Sequence, residues 1–167
     1  MTMQQDTNRQ TIAARFVAAR REGAAVSPYP GVAPATLAEA YAIQDAALAL
    51  DGRAVAGWKV GRINAPLDVQ LGANRLAGPI FTDVVYADGA QTPVFAGGFA
   101  AGEAELMLHV AAGFDGTIPT DDAGTKAILD EIRLGFALAS SPSSGCNSDG
   151  PCVTGSDSGN NGARVLG

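Results

Sequence analysis

The chain has 167 residues, 47% of them apolar and 17% charged, with a formal net charge of −6. A chain of that length buries roughly 70% of its unfolded surface, so the composition excludes wholesale disorder, and the acidic balance excludes a nucleic-acid partner, which needs clustered Lys and Arg. No apolar stretch reaches membrane-spanning length and the first 25 residues hold no signal-peptide core, so a cytoplasmic protein without a membrane partner is expected.

Thr7 to Arg21 reads as a helix with Ile12, Phe16, Val17 and Ala19 on one stripe and a stop at Gly23. Pro28, Pro30, Gly31 and Pro34 mark a loop. Thr36 opens a second helix, with Glu39 completing a capping box. Leu37, Tyr41, Ile43, Ala46 and Leu50 are its expected buried face, and Asp51-Gly52 ends it. The period then changes. Val55 to Val60 and Ile80 to Tyr86 read as strands, with a turn at Asp88-Gly89. Glu103 to Ala111 alternates, with Ala104, Leu106, Leu108 and Val110 on one face and Glu103, Glu105, Met107 and His109 on the other. Asp121 to Glu131 is expected as a helix capped by Thr120 or Asp121, and Leu134 to Leu138 as a strand. From Ala139 onward, 13 of the last 29 residues are Gly or Ser. That segment is a disordered tail, a functional loop region, or strands stripped of their partners, and its abrupt apolar end favours the third. The spacing of Cys146 and Cys152 matches neither a zinc knuckle nor a redox pair, so two free thiols are expected.

Two features carry chemistry. Glu103 and Glu105 sit at i and i+2 of a strand, so both carboxylates leave on one side, with Cα atoms roughly 7 Å apart. Like charges that close favour protonation of one acid or capture of a cation, and oxygen donors suit magnesium, manganese or calcium. On the pair alone, an exposed strand face with two solvated glutamates is the commoner origin. His109, the only histidine, is too far along the strand to share a metal with Glu105. The second feature is Lys59 in Gly57-Trp58-Lys59-Val60-Gly61, one of two lysines and next to the only tryptophan. A desolvated lysine binds carboxylates or enolates, whereas snorkelling to the surface is the plainer fate. Asp157 occupies the centre of Gly155-Ser-Asp-Ser-Gly159, so this is no nucleophile elbow. Phosphate-loop and dinucleotide fingerprints are absent from the sequence.

Taken in order, these pieces resemble the fumarylacetoacetate hydrolase superfamily, on its 2-keto-4-pentenoate (2-hydroxypentadienoate) hydratase branch. Ala40-Tyr41-Ala-Ile-Gln44 resembles the "AYxIQ" helix and Gly57-Trp58-Lys59-Val60-Gly61 the "GWKIG" strand. Gln70-Leu71-Gly72 with Gly78-Pro79-Ile80-Phe81 resembles "Q..LG…GPLF", and Glu103-Ala104-Glu105 resembles the "ExE" metal pair. Gly135 to Pro142 resembles "GFEIASSP", and Asn147 to Asn161 resembles "NSDGPCVTISDFGNN". The resemblance implies an α+β fold in which N-terminal helices (residues 1–54) pack on a mixed, rolled and incomplete β-sheet (residues 55–167). It implies a hydratase that adds water to 2-hydroxy-2,4-dienoates in aromatic-compound degradation. It further implies a Mg²⁺ or Mn²⁺ cofactor on Glu103 and Glu105, catalytic roles for Lys59 and Asp83, a small 2-keto or 2-hydroxydienoate acid as ligand, and a homo-oligomer.

Three departures bear on this. The position of the family's third metal carboxylate holds Ala137, which leaves Asp130, Glu131 or water to fill the gap. "TISDFG" has become Thr154 to Gly159, where Gly and Ser replace a buried Ile and Phe. Family chains continue well past residue 167, so a truncated and catalytically impaired relative, acting as a fragment or oligomer partner, is the alternative expectation. An unrelated binding domain is the third.

Overall fold

The N-terminal helix starts four residues before the expected Thr7, because Thr2 caps it. In the computed structural model, which describes residues 2–167, α1 spans Met3–Glu22. The Thr2 hydroxyl accepts from the Gln5 N–H at 3.3 Å, and the Gln5 side chain accepts from the Thr2 N–H at 2.8 Å. This reciprocal pair satisfies two amide donors that a bare helix start leaves open. Helix α2 (Leu37–Asp51) opens on Thr36, whose hydroxyl accepts from the Glu39 N–H at 3.2 Å. The Glu39 carboxylate reaches one residue further back than expected, to the Ala35 N–H at 2.8 Å.

The two helices pack through Ile12, Phe16 and Val17 against Ile43 and Ala47, with Tyr29 set edge-on to Phe16 at 5.7 Å. The α1 stripe is buried as the sequence predicts. On α2 the buried face is rotated. Ala40, Ile43, Gln44 and Ala47 point inward and Leu50 is exposed. Gln44 tolerates burial because its amide donates to the Ala77 and Gly155 carbonyls at 3.0 and 2.9 Å.

Strand β1 (Val55–Arg62) pairs antiparallel with β2 (Arg75–Phe81), and the short helix α3 (Leu67–Leu71) lies between them. The single strand expected over Ile80–Tyr86 is divided. A 3₁₀ turn at Thr82–Val84 separates β2 from β3 (Val85–Ala87). The turn is needed because β3 belongs to the other sheet, ordered β3-β6-β5-β4. In that sheet β4 (Phe99–Val110) and β5 (Leu129–Ser141) form a long antiparallel pair, and β6 (Asn161–Leu166) lies antiparallel to β5 and parallel to β3.

The helix expected to reach Glu131 is shorter. Helix α4 covers Asp122–Ala127, with Asp121 as its cap, and the chain enters β5 at Leu129. Asp130 and Glu131 are therefore strand residues. Glu131 lies opposite His109, six residues along β4 from Glu103, a separation of roughly 20 Å. Neither acid can replace a ligand beside Glu103.

The Ser- and Gly-rich C-terminal segment is ordered and buried. It forms α5 (Pro151–Ser156), a 3₁₀ turn at Ser158–Asn160 and β6, which has a hydrogen-bonded neighbour on each side. Small polar residues suit this path because they satisfy a buried ionic network. Asp157, 1% exposed, pairs with Arg20 of α1 at 2.9 Å and accepts from the Ser141 hydroxyl at 2.5 Å. Arg20 also donates to the Asn161 carbonyl at 2.9 Å. Tyr29 shares a 2.8 Å hydrogen bond with Ser156, and burial pushes its phenol up to about 12. Cys146 and Cys152 are free, as expected, and burial pushes the Cys146 thiol up to about 12 as well. No helix among the described residues is long and apolar enough to cross a membrane.

Candidate active site

Strand β4 presents its two faces in the opposite sense to ordinary amphipathic strands. The apolar face, with Leu106, Leu108 and Val110, is exposed, and its β5 neighbours Ile132, Leu134 and Phe136 are exposed with it. The face bearing Glu103, Glu105 and Met107 is partly covered. The Glu103 and Glu105 side chains keep 42% and 27% of their exposure, so they are partly desolvated while the leucines of the other face stand out in solvent. Desolvation of the carboxylates requires compensating cations.

Two such cations are present. The Lys59 ammonium, on β1, donates to a Glu103 carboxylate oxygen at 2.6 Å and to the Asn160 side-chain carbonyl at 3.0 Å, and the residue is only 6% exposed. Lys59 thus lies inside the molecule, and the snorkelling alternative does not hold. Asn160 is presented by an unusual turn. Ser158, Gly159 and Asn160 all take left-handed backbone conformations, with φ of 54°, 60° and 53°. Such backbone is uncommon for side-chain-bearing residues and concentrates at functional sites. The turn fits against β2 only because residue 78 is glycine. A Cβ there would sit 2.0 Å from the Ser158 carbonyl oxygen. Gly78 is the register partner of Lys59, so one close backbone approach brings Lys59 and Asn160 together. Asn160 in turn donates to the Asn147 side chain at 3.2 Å.

The second cation is Arg164 on β6, whose Nε lies 3.5 Å from Glu105. Glu103, Ala137 and Arg164 are successive register partners across β4, β5 and β6, so they share one face. Gly135 and Ala137 on β5 are small, which leaves a trough through which Arg164 extends toward Glu105. Arg164 is 3% exposed. Burial lowers its pKa from the ordinary arginine value, against the opposing pull of Glu105 and Glu103.

Lys59, Glu105, Met107 and Arg164 line a cleft of about 830 Å³ between the two sheets, with Trp58 at its wall. His109 stands at its mouth, exposed and 2.5 Å from Asp130, away from the glutamate pair as its spacing predicts. Asp83 is placed elsewhere. It is exposed and its carboxylate accepts from Arg53 at 3.1 Å, so it does not join the Lys59–Glu103 group.

The donor set can be tested for a divalent ion. Glu105 lines the cleft and Glu103, two positions away on the same strand face, is held beside it by the cleft-lining Lys59, and magnesium is commonly held by one or two carboxylates with water and substrate oxygens completing its shell. The pair fits that requirement. A fuller protein cage is absent, because no group of three or more His, Cys, Asp or Glu side chains converges among the described residues. Ala137, fully buried opposite Glu103, offers no oxygen.

No protein-family model matches the chain, and no curated protein matches it in sequence. Solved structures do match. The 4-oxalocrotonate decarboxylase from Pseudomonas putida G7, complexed with magnesium and adipate, superposes with a TM-score of 0.72 at 17% identity, over 100% of this chain and 64% of that one. Its complex with calcium and acetate gives 0.72 at 17% identity, over 100% and 63%. The chain has the fold of 4-oxalocrotonate decarboxylase. This is the α+β arrangement expected from the resemblance to the fumarylacetoacetate hydrolase superfamily. The chain spans about two thirds of the decarboxylase's length or slightly less.

Sequence reasoning singled out Lys59, Glu103 and Glu105, which the fold brings to one region, but assigned no role to Asn160 or Arg164. Asn160 lies in a segment that carried the resemblance, yet nothing local shows that it meets a lysine 101 positions away. Arg164 carried a usable signal, a lone charge within Ala163-Arg164-Val165-Leu166.

Proposed function

We propose that the cleft binds a 2-keto acid or its 2-hydroxydienoate tautomer and catalyses water addition to it, with Mg²⁺ or Mn²⁺ held by Glu103 and Glu105. The observation that carries this reading is the inward carboxylate face of β4 joined to the buried Lys59 amine at 2.6 Å. A divalent cation, when bound, supplies electrophilic stabilisation of charge developing on the 2-oxygen.

The remaining work falls to side chains of this chain. Lys59 has three N–H donors, and Glu103 and Asn160 occupy two. The third is free for a ligand oxygen or for delivering a proton to carbon from Nζ. Glu103 and Asn160 hold the amine in place, and Asn147 holds Asn160. Trp58 and Met107 give the cleft an apolar wall that suits the diene and limits water near the reacting carbons.

Decarboxylation is the second reading, favoured by the activity named for the decarboxylase structures. Both reactions develop negative charge on the 2-oxygen, so one experiment covers them. Purified protein is mixed with 2-hydroxypentadienoate or oxalocrotonate and Mg²⁺ or Mn²⁺, and dienol absorbance and CO₂ are followed. Metal-dependent loss of absorbance without CO₂ is the expected result. CO₂ release assigns decarboxylation. No turnover by a folded chain supports the non-catalytic relative that Ala137 favours. The exposed apolar face of Leu106, Leu108, Ile132 and Leu134 suits a homo-oligomer, and cytoplasmic residence suits such an enzyme.

A further inference from the structure

We infer that Arg164 is an internal counter-ion that competes with a divalent cation for Glu105, so that its fixed charge weakens the hold of the glutamate pair on that cation. This rests on the proposed reading of Glu103 and Glu105 as metal ligands and adds to it the residue that regulates their affinity.

The strand register gives Arg164 its reach. It is the β6 partner of Ala137 on β5, and Ala137 is the partner of Glu103 on β4. The next row of the same face sets Gly135 between Glu105 and Leu166. Ala137 and Gly135 carry no side chain past Cβ, so no β5 side chain separates the guanidinium from the carboxylates. A Cβ added at Gly135 would collide with the Met107 methyl group, so an apolar side chain fills the space there. Arg164 Nε lies 3.5 Å from a Glu105 oxygen.

Arg164 is 3% exposed and arginine keeps its proton in proteins, so the charge is permanent and poorly screened. At 3.5 Å the contact is Coulombic attraction more than a hydrogen bond, which leaves Glu105 its lone pairs. Glu105 can therefore still take a cation, but only against the repulsion of a guanidinium already in place. Lys59 neutralises Glu103 in the same way at 2.6 Å. The two carboxylates are thus balanced before any metal arrives, and a divalent ion adds two uncompensated positive charges. Of the two counter-ions, Lys59 is also tied to Asn160. Arg164 has one terminal nitrogen on the Ala163 carbonyl and the other without a hydrogen-bond partner, so neutralising it removes charge while breaking few other contacts.

The test follows Mn²⁺ binding by electron paramagnetic resonance on the full chain and on Arg164→Gln, Arg164→Lys and Arg133→Gln, each checked for folding by circular dichroism. Arg164→Gln, which keeps polar donors without the charge, is expected to bind Mn²⁺ about 10- to 100-fold more tightly, the scale on which groups beside metal ligands tune affinity. Arg164→Lys keeps the charge and is expected to stay close to the unaltered protein. Arg133 lines the same cleft but is well exposed and paired with Glu131 at 2.7 Å, so Arg133→Gln is expected to change little. If Arg164→Gln does not fold, Arg164→Met is measured in its place with the same expectation. Unchanged or weaker binding by the folded, neutralised variant overturns the inference and leaves metal binding by the pair standing. A gain as large in Arg164→Lys assigns the effect to packing, and one as large in Arg133→Gln assigns it to any charge in the cleft. Either overturns the inference. No Mn²⁺ binding by the unaltered chain or by any folded variant overturns the metal reading itself, and the inference with it.

Discussion

Lys59→Met is expected to lower kcat on a 2-hydroxydienoate by about 10²- to 10³-fold, the usual range for loss of a positioned proton carrier or electrostatic stabiliser. Methionine keeps much of the volume and removes the ammonium. The change leaves Glu103 without its 2.6 Å partner and Asn160 without its donor. Lys59→Arg is not expected to rescue, because the position is 6% exposed and the longer guanidinium cannot fit between the Asn160 turn and β4. Steady-state kinetics decides the role. An effect on KM alone assigns Lys59 to binding, and an unchanged kcat/KM removes it from the site.

The second large effect is on stability. Arg20 and Asp157 form an ion pair at 2.9 Å with side chains 9% and 1% exposed. Removing one member of a buried pair leaves an uncompensated charge and costs about 3–5 kcal/mol. Asp157→Ala should therefore lower Tm by about 10 °C in a domain of this size. The pair Arg133–Glu131 is the control, because both members are well exposed and such pairs contribute at most ~1 kcal/mol. The double change Arg20→Met with Asp157→Leu is expected to recover much of the loss, because no lone charge remains. Thermal melts by circular dichroism give both values. A loss from Asp157→Ala no larger than that from Glu131→Ala contradicts this assignment.

The network around Asp157 also explains why the C-terminal third was hard to read. Its Ser, Asn and Gly content resembles a loop, since such residues lack any apolar periodicity. They are buried because their partners lie on α1, 137 and 141 positions away for Asp157 and Asn161. Long-range polar satisfaction leaves no local pattern. The helices were legible for the opposite reason, since stripe, cap and stop at Thr36 and Gly52 are local.

The glutamate pair was half legible. Alternation along β4 separates Glu103, Glu105 and Met107 from Leu106 and Leu108, but hydropathy puts the wrong face inside. The cations supplied by β1 and β6 are what make the acidic face the partly covered one. The division of β2 from β3 was invisible because β-propensity continues through Val84, Val85 and Tyr86, while sheet membership changes. Asp83, singled out by position, lies apart from the Lys59–Glu103 pair. Its carboxylate is taken by Arg53, which also stacks over Phe81 at 4.0 Å.

The most direct test of the metal assignment is a Mn²⁺ titration followed by electron paramagnetic resonance, on the unaltered chain and on Glu105→Ala. One bound ion per chain is expected, with affinity reduced by at least 10- to 100-fold in the variant. Equal affinity in both proteins, or no binding by the folded unaltered chain, contradicts a divalent ion held between Glu103 and Glu105.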